Sequence, residues 1–240
     1  MINFQFPNFP HTKWDDNVET FEGVEGWYSD DIKEGWRVIY ADGTWYDNAP
    51  KAPNKGIGDI LTDLDARKKP VIFDKTLKGH AGFINYGNKA YQTLYTQDVF
   101  NTDKKLLFMG HSLGAALIIH VALLYQNYYD EKQIAIRLFG LPRPWGTGAL
   151  CAYVRKHIKD YKSWSVGYEG TDWLRGISLL TGFKRPYSVI KLPSQAVFSG
   201  NLLDRVKQLI TAMGSDHQPE AYRSSLTDDD VFATAQGEAL

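Results

Sequence analysis

Gly110-His111-Ser112-Leu113-Gly114 decides how this chain is read, because of what stands on either side of it. Residues 106–109, Leu-Leu-Phe-Met, form an apolar run of buried-strand length, led in by Lys104 and Lys105. Residues 115–129 form a helix-length run with almost no polar side chain and no proline or glycine. Strand, Gly-x-Ser-x-Gly turn and buried helix together are the context of a nucleophile elbow. So tight a turn puts its central residue in strained backbone geometry. The flanking glycines let strand and helix approach without a side-chain clash. Ser112 is expected to stand clear of the sheet, where a base can reach its hydroxyl.

Working outward, strands are expected at 36–40, 71–73, 134–139, 163–168 and 187–192, and helices at 59–68, 83–97, 148–159 and 202–213. Their alternation implies an α/β fold: a mostly parallel central sheet with helices on both faces, in a single domain over 1–240. Residues 1–35 are rich in Asn, Asp, Gly, Pro and aromatics without a clear period, and are expected to wrap the domain rather than enter its sheet. Residues 227–240 are acidic and weakly hydrophobic, and a loose tail is expected there. Aromatic residues make up 14% of the chain, and the plain reading is that they fill the core and its rim.

Composition excludes several classes of function. With 27 basic against 28 acidic residues and no long basic block, nothing suggests nucleic acid as a partner. Cys151, the one cysteine, leaves no intrachain disulfide and no cysteine-based zinc site. No apolar run reaches membrane-spanning length; the longest follows the elbow and is interrupted by His120. Residues 1–7 have neither a basic n-region nor a sustained apolar stretch, so a cytoplasmic location is expected rather than secretion.

A serine hydroxyl needs a base to take its proton, and the base needs an orienting acid. In the α/β-hydrolase arrangement the chain order is Ser, then Asp or Glu, then His, which sets aside His11, His80 and His111. His120 lies within the post-elbow helix and reads as a core histidine. His157 sits in a Lys/Arg-rich helix. His217, in Gly214-Ser215-Asp216-His217-Gln218-Pro219, lies on a loop between helical segments and is the candidate base. Among Asp130, Asp160, Asp172, Asp204 and Asp216, the candidate acid is Asp172, just past the strand at 163–168. The backbone N–H of Leu113 is one expected oxyanion donor. The second is expected on the loop after an earlier strand, where Thr44 of Asp42-Gly43-Thr44 fits.

These motifs, in order, resemble the class 3 lipases, the fungal-lipase-like branch of the α/β-hydrolases. Gly43-Thr44 after the strand resembles the family's Arg-Gly-Thr or Arg-Gly-Ser turn. Residues 59–64 resemble the helix that follows it. His80-Ala81-Gly82-Phe83 resembles the His-x-Gly-Phe before the next helix, and Phe139-Gly140-Leu141-Pro142-Arg143 resembles Phe-Gly-x-Pro-Arg. Asp172, Leu192-Pro193 and Asp216-His217 resemble the acid, its downstream Leu-Pro and the Asp-His pair. The resemblance runs over roughly 36–223. The chain departs from the pattern at Asp42, where arginine is usual, and at Ala115, where a second glycine is common. The loop 45–58 is longer than usual.

The resemblance implies ester hydrolysis through an acyl-enzyme on Ser112, with Asp172 and His217 completing the triad. It implies an ester or lipid substrate, transient contact with a lipid interface, and no metal or cofactor. Two other readings remain at this level: a non-catalytic binding or structural protein on a hydrolase fold, and an amide hydrolase using the same triad. An apolar stretch at 173–183, beside the proposed acid, is a candidate wall of the acyl pocket.

Overall fold

Strand β6 (Lys105–His111) is buried from its second residue to its last, and the sheet is laid out from it. In this computed structural model the described residues are 12–13, 26–43, 67–129, 133–141, 145–166, 182–193 and 219–233. Before β6 come β1 (Thr12–Lys13), β2 (Gly26–Ser29), β3 (Trp36–Ala41), β4 (Lys68–Pro70), β5 (Lys78–His80) and helix α1 (Ala81–Thr96). After it come α2 (Ser112–Tyr128), β7 (Ile134–Phe139), α3 (Gly148–His157), β8 (Asp160–Val166), β9 (Ile190–Leu192), α4 (Pro219–Arg223) and α5 (Asp228–Phe232).

Seven strands form one sheet in the order β1-β2-β3-β6-β7-β8-β9. From β3 to β9 every pairing is parallel, while β1 and β2 add an antiparallel edge. Parallel strands need crossover connections, and these bring helices onto the faces. Register sorts the side chains by alternation. Ile39 and Ala41 of β3 share a face with Leu106 and Phe108 of β6 and with Ile136 and Leu138 of β7. That face meets α1, α2 and α3 in the larger core. Val38, Tyr40, Leu107, Met109, Ala135 and Phe139 point the other way, into a second core closed by Tyr222 of α4 and Val231 of α5. Helix α2 is buried almost all round, as its uniformly apolar sequence requires.

Three expectations are corrected. Residues 1–35 do not only wrap the domain: β1 and β2 enter the sheet, and Trp27 of β2 stacks on Tyr40 of β3 with centroids 5.5 Å apart. The strand expected at 71–73 lies instead at 68–70. Val71 alone of the next residues is buried, its N–H donating to Leu77 O at 2.9 Å, while Ile72 is exposed. The stretch 227–233 is not a loose tail. Thr227 and Asp230 form a reciprocal capping box, three aspartates sit where a helix N-terminus favours negative charge, and Val231 is fully buried. Arg137 of β7 then fastens α5, donating to the backbone oxygens of Val231 and Ala233. Of the helix expected at 59–68, residues 59–66 lie outside the described residues, while Arg67 is a bend and Lys68 already opens β4. The helix expected at 202–213 and residues 173–181 of the apolar stretch also lie outside them.

Candidate active site

Ser112 opens α2 at the point where β6 ends. Its φ is +53°, in the left-handed region that costs an ordinary residue about 1 kcal/mol or more. Three glycines make this bend possible. A Cβ on Gly110 would lie 2.7 Å from Ala115 Cα. One on Gly114 would run into the carbonyl oxygens of Ala41 and Asp42, and one on Gly43 would lie 2.5 Å from Ser112 Cβ. The elbow is therefore clamped between β3 and α2, with backbone where side chains would stand. Ser112 itself is buried.

The start of α2 is suited to negative charge. Leu113 lies in its first turn, where geometry leaves backbone N–H groups without intrahelical acceptors. His111, the residue before the helix, supplies no side-chain cap, and the first turn carries no acidic residue. The positive end of the helix dipole thus points at the space beside Ser112.

Beside the serine lies a polar pair that the sequence reading did not bring together: Asp42 stands there only as a departure from the family's turn, and His111 only as a histidine set aside as the base. Asp42 follows β3 and His111 ends β6, each one step beyond the paired Ala41 and Gly110, so that alternation turns both toward the face of the second core. The Oδ1 of Asp42 accepts the Gly43 N–H at 2.7 Å and the Tyr40 hydroxyl at 3.2 Å, and lies 3.4 Å from His111 Nδ1. The His111 ring meets Tyr222 of α4 edge-on at 5.9 Å, and Tyr222 meets Phe139 at 5.8 Å. Alternation puts Asp42 and His111 on one face, but only the β3–β6 register brings them side by side, and no local signal fixes that register.

The other candidates separate cleanly. His120 is fully buried, its Nε2 2.9 Å from Asn88 Oδ1, and burial pushes its pKa down to about 3: it is a core histidine. His157 stacks on Tyr153 at 4.2 Å near the end of α3. Asp160 pairs with Arg137 at 2.8 Å and so serves the β7–β8 junction. Thr44, Asp172, His217, Asp130, Asp204 and Asp216 lie outside the described residues. Their described neighbours are informative. Val166 ends β8 at the carboxyl edge of the sheet, two strands from β6, with Asp172 six residues on. Tyr222, five residues past His217, is buried against the residue that precedes Ser112. Among the described residues no group of three His, Cys, Asp or Glu side chains is gathered as a metal site.

A mostly parallel sheet flanked by helices, with a strained serine at the turn from strand to buried helix, defines the α/β-hydrolase fold. Solved structures it resembles include fungal lipases. One is a lipase from Yarrowia lipolytica, with a TM-score of 0.60 at 14% identity over 88% of this chain and 79% of that one. Another is the Rhizomucor miehei triacylglyceride lipase, with 0.53 at 19% identity over 77% and 66%. In sequence the chain is 31% identical over 139 residues to a secreted mono- and diacylglycerol lipase of Malassezia restricta, a match covering 53% of this chain and 45% of the relative. The chain thus spans about half the length of the curated relatives it matches. No family model matches it. The resemblance to class 3 lipases read from the motifs is borne out by these likenesses. The expectation of a cytoplasmic location is overturned by the secreted relative. It had rested on the first few residues of a sequence matching under half of that relative, and those residues carry no weight for where the protein goes.

Proposed function

We propose that this chain is a carboxylic ester hydrolase acting on acyl lipids through an acyl-enzyme on Ser112. The observation that carries the reading is the left-handed serine clamped between Gly43, Gly110 and Gly114. Glyceride esters are the first substrate class to test, because the curated relative is a mono- and diacylglycerol lipase. Among the described residues no helix is long and apolar enough to cross a membrane. Access to such substrates is proposed through transient contact with a lipid surface, which the likeness to lipases suggests.

In this mechanism Ser112 Oγ attacks the ester carbonyl while His217 takes its proton. Asp172 holds the imidazole in the required tautomer and stabilises its cation. The backbone N–H groups of Leu113 and Thr44 receive the developing oxyanion. His217 returns the proton to the departing alcohol, and water then releases the acid by the same steps. Two placements support the assignments. Tyr222, five residues past His217 in the sequence, packs beside the elbow against the residue that precedes Ser112. Asp172 follows β8, whose carboxyl end lies along the same sheet edge.

The test is labelling with a fluorophosphonate probe alongside hydrolysis of p-nitrophenyl esters. The wild-type chain is expected to label and turn over. A folded Ser112→Ala chain should do neither, with turnover down by several orders of magnitude. Near-wild-type hydrolysis by Ser112→Ala would sink the mechanism, and a wild-type chain that never labels would favour a non-catalytic scaffold.

A further inference from the structure

We propose that Asp42 is a positioning residue: its carboxylate fixes the Gly43 peptide against Ser112 and joins the end of β3 to the elbow. The role is one within the ester hydrolase reading above. Asp42 is 1% exposed. A buried carboxylate is costly unless donors surround it, and donors converge on its Oδ1. The Gly43 N–H at 2.7 Å is the shortest of them, a charge-assisted bond to the backbone. The Tyr40 hydroxyl lies at 3.2 Å and His111 Nδ1 at 3.4 Å.

What this oxygen holds matters more than how well it is held. Gly43 must be glycine, because a Cβ there would sit 2.5 Å from Ser112 Cβ and 3.1 Å from the His111 carbonyl oxygen. Glycine is also the residue with the widest backbone freedom. The close fit to the nucleophile therefore comes with a hinge beside it, and the Asp42 carboxylate removes that freedom. Gly43 leads directly into Thr44, the proposed second oxyanion donor. A donor displaced by a fraction of an ångström loses much of its effect on the transition state. At the turn where the resembled lipases usually carry arginine, this chain sets the backbone with an acceptor rather than a donor. His111, against Tyr222, extends the same restraint to α4.

The test compares wild-type, Asp42→Leu and Asp42→Asn chains by kcat and KM on p-nitrophenyl butyrate and by hydrogen exchange of the Gly43 amide. Asp42→Leu is expected to keep KM within about twofold while kcat falls about 30-fold, with the Gly43 amide exchanging freely. Asp42→Asn keeps an oxygen for Gly43 and should recover kcat to within about fivefold, with the amide protected again. Loss of thermal stability with kcat unchanged in Asp42→Leu would overturn the proposal and leave a merely structural role. So would an unprotected Gly43 amide in the wild-type chain, a measurement that needs no variant to fold. A wild-type chain with a protected Gly43 amide but no labelling and no turnover overturns the hydrolase reading, and with it any catalytic use of a restraint that is physically present.

Discussion

At Gly114 the absence of a side chain is a structural requirement. The Cα of this residue faces the last peptides of β3, and any Cβ meets the carbonyl oxygens of Ala41 and Asp42. Backbone in a central strand cannot swing aside as a side chain can. Gly114→Ala is therefore expected to destabilise the fold by about 3 kcal/mol, or to abolish it, as read by urea denaturation. A stability loss under about 0.5 kcal/mol would show that α2 can slide away from β3. The same scale explains what the sequence disclosed about the site. Ser112, Gly110 and Gly114 form a local pattern, legible because they stand within five residues, whereas the third glycine of the bend, Gly43, is far off in the chain. Asp42 and His111 lie 69 positions apart, and nothing in either neighbourhood announces their meeting.

Among the elements, the strands of the parallel core were the most legible. The apolar run at 106–109 and the run at 134–139, apolar but for Arg137, are buried on both faces, and such composition marks a central strand. The strand β2, second from the edge of the sheet, was not legible, because four residues of Gly-Trp-Tyr-Ser carry too little period to separate from a loop. Helix α5 was misread for a different reason. Its Thr-x-x-Asp cap and single buried Val231 were outweighed by three consecutive acids that read as solvated chain. Arg137 supplies what the sequence hid, a buried guanidinium whose donors reach Asp160, the Val231 carbonyl of α5 and the Ala233 carbonyl just past it. Arg137→Leu should leave the sheet folded, cost about 2–4 kcal/mol, and raise amide exchange across 228–233. Unchanged exchange in that stretch would mean that the capping box and Val231 hold α5 without the arginine.

Across the whole molecule, one packing choice contributes to how stability falls in acid. His120 stands where α2 crosses Gly87 of α1, and its ring fills the space a side chain at Gly87 would take. Burial holds it neutral, with a pKa of about 3 against 6.5 for the free side chain. Between these values the unfolded chain binds a proton that the folded chain refuses. This contribution to stability is complete above about pH 6.5 and is lost as pH falls toward 3. At pH 5 the loss amounts to about 2 kcal/mol. His120→Leu should flatten the fall of Tm between pH 7 and 5 by a corresponding amount. Parallel Tm curves for the two proteins would show that the histidine is charged in the folded state.

The second core has its lid at the end of the described chain. Val38, Tyr40, Leu107, Met109 and Phe139 belong to strands complete by residue 139, yet among the described residues the helices that cover them, with Tyr222 and Val231, come another eighty residues or so later. During synthesis at about 5–20 residues per second, that apolar sheet face waits several seconds for its cover. A nascent chain in this state exposes a broad sticky surface with the parallel strands already able to pair. Its yield in the cell should therefore depend on chaperone capacity and on translation speed between residues 140 and 231 more than on the stability of the finished fold.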